Sequence, residues 1–120
     1  MRLTATVLDA PDAQALARFY RDLLGWSFGV DEPGWATLRA PGGGAGLSFQ
    51  TEPDHRRPVW PGHGGDQRMM AHLDIEVDDL DAACTRAAEL GATLAEHQPQ
   101  EHVRVHLDPA GHPFCLYVEG

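Results

Sequence analysis

The chain runs through one plan twice, which limits its folds to those built from two copies of a single supersecondary unit. Asp12 opens a stretch in which Leu16, Phe19, Tyr20, Leu23 and Leu24 fall at helical spacing, and Gly25 stands just past its end. Asp79 opens a second, in which Leu80, Ala83, Cys84, Ala87 and Leu90 lie close to one stripe, with Gly91 in the matching place. An Asp at the N-cap accepts from the free amides of the first turn, and glycine tolerates the left-handed conformation that ends a helix. Each predicted helix is preceded by one strand and followed by three. After Gly25 come SFGVDE, WATLRA and AGLSFQTE; after Gly91 come ATLAEHQ, HVRVHLD and PFCLYVE. The Pro and Gly residues between them suit tight turns and would be poor choices inside strands.

Residues 72–83, HLDIEVDDLDAA, carry the clearest two-residue period. Met70, His72, Asp74 and Glu76 share one face of a predicted strand, and Ala71, Leu73, Ile75 and Val77 share the other. Such a strand packs its apolar face on a helix and turns its polar face toward a concavity where a ligand can sit. The same alternation places Trp35, Thr37 and Arg39, Ser48 and Gln50, Arg104 and His106, and Cys115 and Tyr117 on polar faces. Charges of both signs there must pair or stay wet, because an unpaired buried charge is costly.

At 120 residues the chain suits one domain, with repeat one at 1–52, a connecting loop at 53–68 and repeat two at 69–120. The loop is rich in Pro and Gly and holds Trp60 between Pro58 and Pro61. Trp60 is a candidate lid over the concavity, a contact to a second subunit, or a plug at the end of the sheet. A net charge of −9 argues against binding nucleic acid, whose phosphates would be repelled. No signal-peptide core or membrane-length apolar run is present, so a cytoplasmic protein with no membrane partner is expected. Cys84, on a predicted helix, and Cys115, on a predicted strand, face opposite sides of one sheet, which disfavours a disulfide.

The segments DAQALARFYRDLLGW at 12–26, HLDIEVDDLDAA at 72–83 and LDPAGHPFCLY at 107–117 resemble the vicinal oxygen chelate superfamily, and in particular its small stand-alone domains of the glyoxalase and bleomycin-resistance type. The resemblance covers nearly the whole chain. It implies an α+β fold of two βαβββ repeats forming a cupped mixed sheet with helices on the outer face, and homodimer formation as the common arrangement. It also implies four metal-ligand places, one on the first and one on the last strand of each repeat. Here those places hold Ala5, Ser48, His72 and Cys115. Ala5 has no donor, and hard-metal sites favour carboxylate over thiolate, so no metal cofactor is favoured. If a divalent metal is present, His72 and Cys115 are its ligands, with His106 as a further donor only after a shift in strand register.

Three functions fit this pattern. The first is a metal-free protein that holds a small, partly aromatic organic molecule against Trp35 and Trp60. The second is a metal-dependent lyase, isomerase or dioxygenase with His72 as a ligand and Glu76 or His106 as proton carrier. The third is a metal-free enzyme with His72 as general base, aided by Asp74 or Glu76. His72 also reads as a pocket histidine bonded to a neighbour, and Cys115 as a small packed thiol.

Overall fold

The computed structural model describes residues 1–120 and divides into two compact units, Met1–His55 and Arg56–Gly120. The first unit contains β1 (Ala5–Ala10), α1 (Ala13–Leu24), β2 (Ser27–Glu32), β3 (Trp35–Arg39) and β4 (Gly46–Thr51), with a 3-10 turn at Pro41–Gly43. The second contains β5 (Leu73–Glu76), α2 (Leu80–Leu90), β6 (Thr93–Leu94), β7 (Val103–Leu107) and β8 (Pro113–Tyr117). Each unit therefore holds a βαβββ repeat, and its four strands form one mixed sheet. The strand orders are β1-β4-β3-β2 and β5-β8-β7-β6. In each, the first and last strands of the repeat run parallel side by side at one end of the sheet, and the remaining pairs are antiparallel.

Local chemistry sets both helix boundaries. The Asp12 carboxylate accepts from the Ala15 amide at 3.2 Å, and the Thr51 hydroxyl accepts from the Ala13 amide at 3.0 Å, which ties the start of α1 to the end of β4. The Asp79 carboxylate accepts from the Ala82 amide at 3.1 Å at the start of α2. Gly25 and Gly91 end the helices with φ of 72° and 113°, in the left-handed region where a Cβ would be strained.

The first unit packs α1 on the sheet face that carries Ala36, Leu38, Leu47 and Phe49. Tyr20 is fully buried and stacks on Phe49 at 5.8 Å, while Phe19 meets Tyr20 edge to face at 4.9 Å. Strand β2 carries an irregularity between Phe28 and Asp31, where the Val30 amide leaves the ladder and donates to Thr37 Oγ1 at 2.8 Å. Gly29 makes room for this, since a Cβ there would lie 2.5 Å from the same oxygen. In the second unit Phe114 and Leu116 are buried, as is Ala87 on α2.

The strand expected over 92–98 is far shorter: only Thr93 and Leu94 pair regularly with β7. The amide of Ala95 still donates to the Val105 carbonyl at 3.0 Å. Beyond it, the Gln98 side chain takes the place of a strand. Its Oε1 accepts from the Val105 amide at 2.9 Å, and its Nε2 donates to the carbonyls of Val105 and Ala95 at 2.9 and 2.8 Å. One side-chain amide thus satisfies backbone groups that further strand residues would otherwise pair. The connecting segment is anchored within the second unit, where Arg57 Nη1 donates to the Pro109 carbonyl at 2.7 Å.

Candidate functional site

The first unit leaves one sheet face free of helix. Register places Trp35 beside Gln50 and Thr37 beside Ser48, with Arg39 two residues further along β3 on the same face. Strand β1 adds Val7 beside Ser48 and Asp9 beside Gln50. Gln50 Nε2 donates to Asp9 Oδ1 at 2.6 Å. A cavity of about 390 Å³ opens at the Arg39 end of this face, walled by Thr4, Ala5, Thr37, Arg39, Gly44 and Ser48 among others. That volume is within the range of small-molecule sites, roughly 300–1,000 Å³. Trp35 and Val7 remain 38% and 47% exposed, which leaves apolar surface along the same face. All five residues expected on the polar face of this repeat therefore share one face. Thr4 and Gly44 join the cavity wall without a sequence signal for binding, Gly44 falling in the PGGGAG run that reads as a turn; Ala5, a ligand place without a donor, lines it as well.

The second unit brings His72, Asp74 and Cys115 together, with their donor atoms all within 4.8 Å of one another. His72 stands just ahead of β5, outside the regular strand, and its Nε2 reaches Asp74 Oδ1 at 3.1 Å. Asp74 is beside Cys115 and Glu76 is beside Tyr117 in the parallel β5–β8 pair, so these four share a face. Burial pushes the Cys115 thiol up to about 11, and the negative charge of Asp74 and a hydrogen bond to it act in the same direction. The group is a protonated thiol held against a carboxylate that the imidazole also reaches.

Arg104 and His106 do not belong to this face. The β7–β8 register sets Val105 opposite Cys115, His106 opposite Phe114 and Arg104 opposite Leu116. Directly opposed residues point to the same side, so Val103, Val105 and Leu107 accompany Cys115, and the two basic side chains lie on the helix side. His106 is 1% exposed and stacks on Phe114 at 5.4 Å. Burial holds its pKa below the ordinary value, opposed by a bond to the Arg104 carbonyl. Arg104 in turn acts on Cys84 of α2, countering the upward push of burial on that thiol. An apolar–basic alternation had suggested the reverse orientation, and the turn at 108–111 decides it. Trp60 packs against His97, with ring centroids 5.4 Å apart.

The donor quartet that the resemblance implies does not fit these residues. Ala5 offers no atom to a metal, Ser48 offers a neutral hydroxyl, and Cys115 offers a thiol where hard-metal sites favour carboxylate. What the chain supplies instead is a three-donor group in the second unit, with Asp74 as the added member.

Two mixed sheets, each made by a βαβββ repeat with its first and last strands side by side, define the architecture of the vicinal oxygen chelate superfamily. The chain belongs to the glyoxalase-like domain family, whose model matches residues 5–117. Its fold is similar to that of a glyoxalase/bleomycin resistance protein/dioxygenase family enzyme from Burkholderia phytofirmans PsJN, with a TM-score of 0.74, 19% identity and 98% of each chain covered. A glyoxalase-related enzyme from Fulvimarina pelagi gives a TM-score of 0.71 at 18% identity, covering 99% of this chain and 88% of that one. A glyoxalase/dioxygenase from Nostoc punctiforme gives 0.68 at 21% identity, covering 99% and 91%. At these identities the likeness is one of fold. No curated protein matches the chain in sequence at a significant level. No helix is long and apolar enough to cross a membrane.

Proposed function

We propose that this protein captures a small organic molecule on the open face of its first sheet and needs no metal to do so. The observation that carries this reading is the cavity of about 390 Å³ beside Thr37, Arg39 and Ser48, on the face where Trp35 and Val7 stay exposed. Hydrogen-bonding groups at the cavity, with Trp35 and Val7 exposed further along the face, suit a molecule with a polar head and a flat, partly aromatic body. The protein acts as a cytoplasmic homodimer in this reading. Sedimentation tests the pairing, and a monomer at micromolar concentration would remove that part alone.

Tryptophan fluorescence of chelator-treated protein, titrated with small aromatic compounds, tests the capture. Saturable quenching is expected, reduced at least about tenfold in affinity by Gly44→Phe. Gly44 lines the cavity with φ of −70°, and a Cβ there meets nothing within 4 Å, so the wall accepts a bulky side chain without strain. Absence of saturable change, or an affinity that Gly44→Phe leaves intact, would remove the reading.

A second reading draws on the His72, Asp74 and Cys115 group. Three protein donors is the number typical of catalytic zinc, and a bound ion would polarise a substrate oxygen as a Lewis acid. This would be a metal-dependent lyase, isomerase or dioxygenase, with Glu76 nearby on the same strand face as a proton carrier. Elemental analysis of untagged protein decides it. Stoichiometric metal, lost in His72→Ala, would support this reading; metal-free protein that cannot be reconstituted would end it.

A further inference from the structure

We infer that the molecule taken up by the first unit carries an oxyanion head group, a carboxylate or a phosphate, which binds at Arg39. This rests on the cavity being the ligand site, and it adds the chemical class of what enters. Arg39 has no carboxylate partner, whereas Arg21 pairs with Asp22 and Arg86 with Glu89. The cavity wall contains this one cation and no Asp or Glu. Two acidic side chains of the first unit are engaged elsewhere. Asp9 accepts from Gln50, and Asp31 accepts from Gln14 Nε2 at 2.9 Å.

The hydroxyl groups around Arg39 are set to donate. Thr37 Oγ1 already accepts the Val30 amide, which leaves its own proton free to turn into the cavity. Ser48 is only 4% exposed, lines the cavity, and makes no side-chain hydrogen bond within the chain; its hydroxyl is left for an incoming group. Thr4 adds a third. An arginine and hydroxyl donors lining one cavity match the planar or tetrahedral oxygens of an anion, and such charge-assisted bonds are about twice as strong as neutral ones. A neutral carbonyl head would gain no charge-assisted bond from the guanidinium.

Three probes of similar body separate the cases: benzoate, phenyl phosphate and neutral benzamide, titrated by calorimetry into chelator-treated wild type and Arg39→Gln. At least one anion is expected to bind about tenfold or more tightly than benzamide, with that preference gone in Arg39→Gln. Which anion wins identifies the head group. If benzamide binds as well as either anion, or the anion preference persists in Arg39→Gln, the head-group inference falls while the cavity reading stands. If none of the three binds to folded wild-type protein, both fall. Arg39 is exposed at the end of β3, so Arg39→Gln is expected to fold normally, as circular dichroism would verify.

Discussion

Iodoacetamide at about pH 8 should alkylate Cys115 roughly a hundredfold more slowly than an exposed cysteine, because the thiolate is the reacting form. With its pKa pushed up to about 11, Cys115 is on the order of 0.1% thiolate at that pH, against roughly 10–25% for an ordinary thiol. Burial is the largest cause, followed by the charge of Asp74 and the hydrogen bond to it. Asp74→Asn removes the charge and should raise the rate severalfold, while a Cys84→Ala background keeps the second thiol out of the measurement. Since the folded thiol holds its proton above the ordinary value of 9.0, its contribution to stability is fully present below about pH 9. It is lost as pH rises toward about 11. Alkylation at the rate of a free thiol would show that Asp74 does not hold the proton.

The same chemistry bears on how the second unit can work. A thiol kept protonated is a poor nucleophile, and the nearest polar group to it is a carboxylate that opposes its ionisation. The metal-free enzyme reading with His72 as base gains a partner in Asp74 at 3.1 Å, and no acceptor for covalent chemistry. A metal would have to displace the Cys115 proton in order to bind, so uptake by this group should weaken as pH falls.

Much of the architecture was legible because its signals are local. Asp12 and Asp79 cap, Gly25 and Gly91 terminate, and the period of the strands between them is two; none of these depends on distant residues. The face of β7 was not legible. In VRVHL either set of alternate side chains can face a helix, since His106 buries as a neutral ring on Phe114 and Arg104 can lie along α2. Only the length of the turn before β8 fixes which set does so. The second strand of repeat two is short for another reason: ATLAEHQ has a strand's composition, but Gln98 offers β7 a side-chain amide in place of backbone. Of the candidate site, the shared face of Trp35, Thr37, Arg39, Ser48 and Gln50 followed from alternation. The contact of His72 with Asp74 did not, because regular strand spacing of roughly 7 Å would hold such a pair apart. His72 escapes that spacing by standing outside β5.

Replacing Asp108 should cost about 3 kcal/mol of folding stability as Asp108→Ala and about 1 kcal/mol as Asp108→Asn. Asp108 is 1% exposed, and its Oδ1 accepts from the amides of Ala110 and His112, each at 2.9 Å. Around it the Gly111 amide donates to the Asp108 carbonyl at 2.8 Å, and the Asp108 amide to the His112 carbonyl at 2.9 Å. Gly111 takes φ of 93°, a conformation that closes the turn and that few side chains would adopt. Alanine would leave two amides without their carboxylate, one of them on Ala110 at 4% exposure, and a buried donor without a partner costs about 1–3 kcal/mol. Asparagine keeps an acceptor oxygen and loses only the charge assistance. Because this turn sets Val105 against Cys115, the alanine variant should also speed Cys115 alkylation, whereas an ordinary surface substitution would not. Urea denaturation of both variants measures the difference. A loss below about 1 kcal/mol for Asp108→Ala, with Cys115 still protected, would mean that the β7–β8 register is held by the strands themselves rather than by their turn.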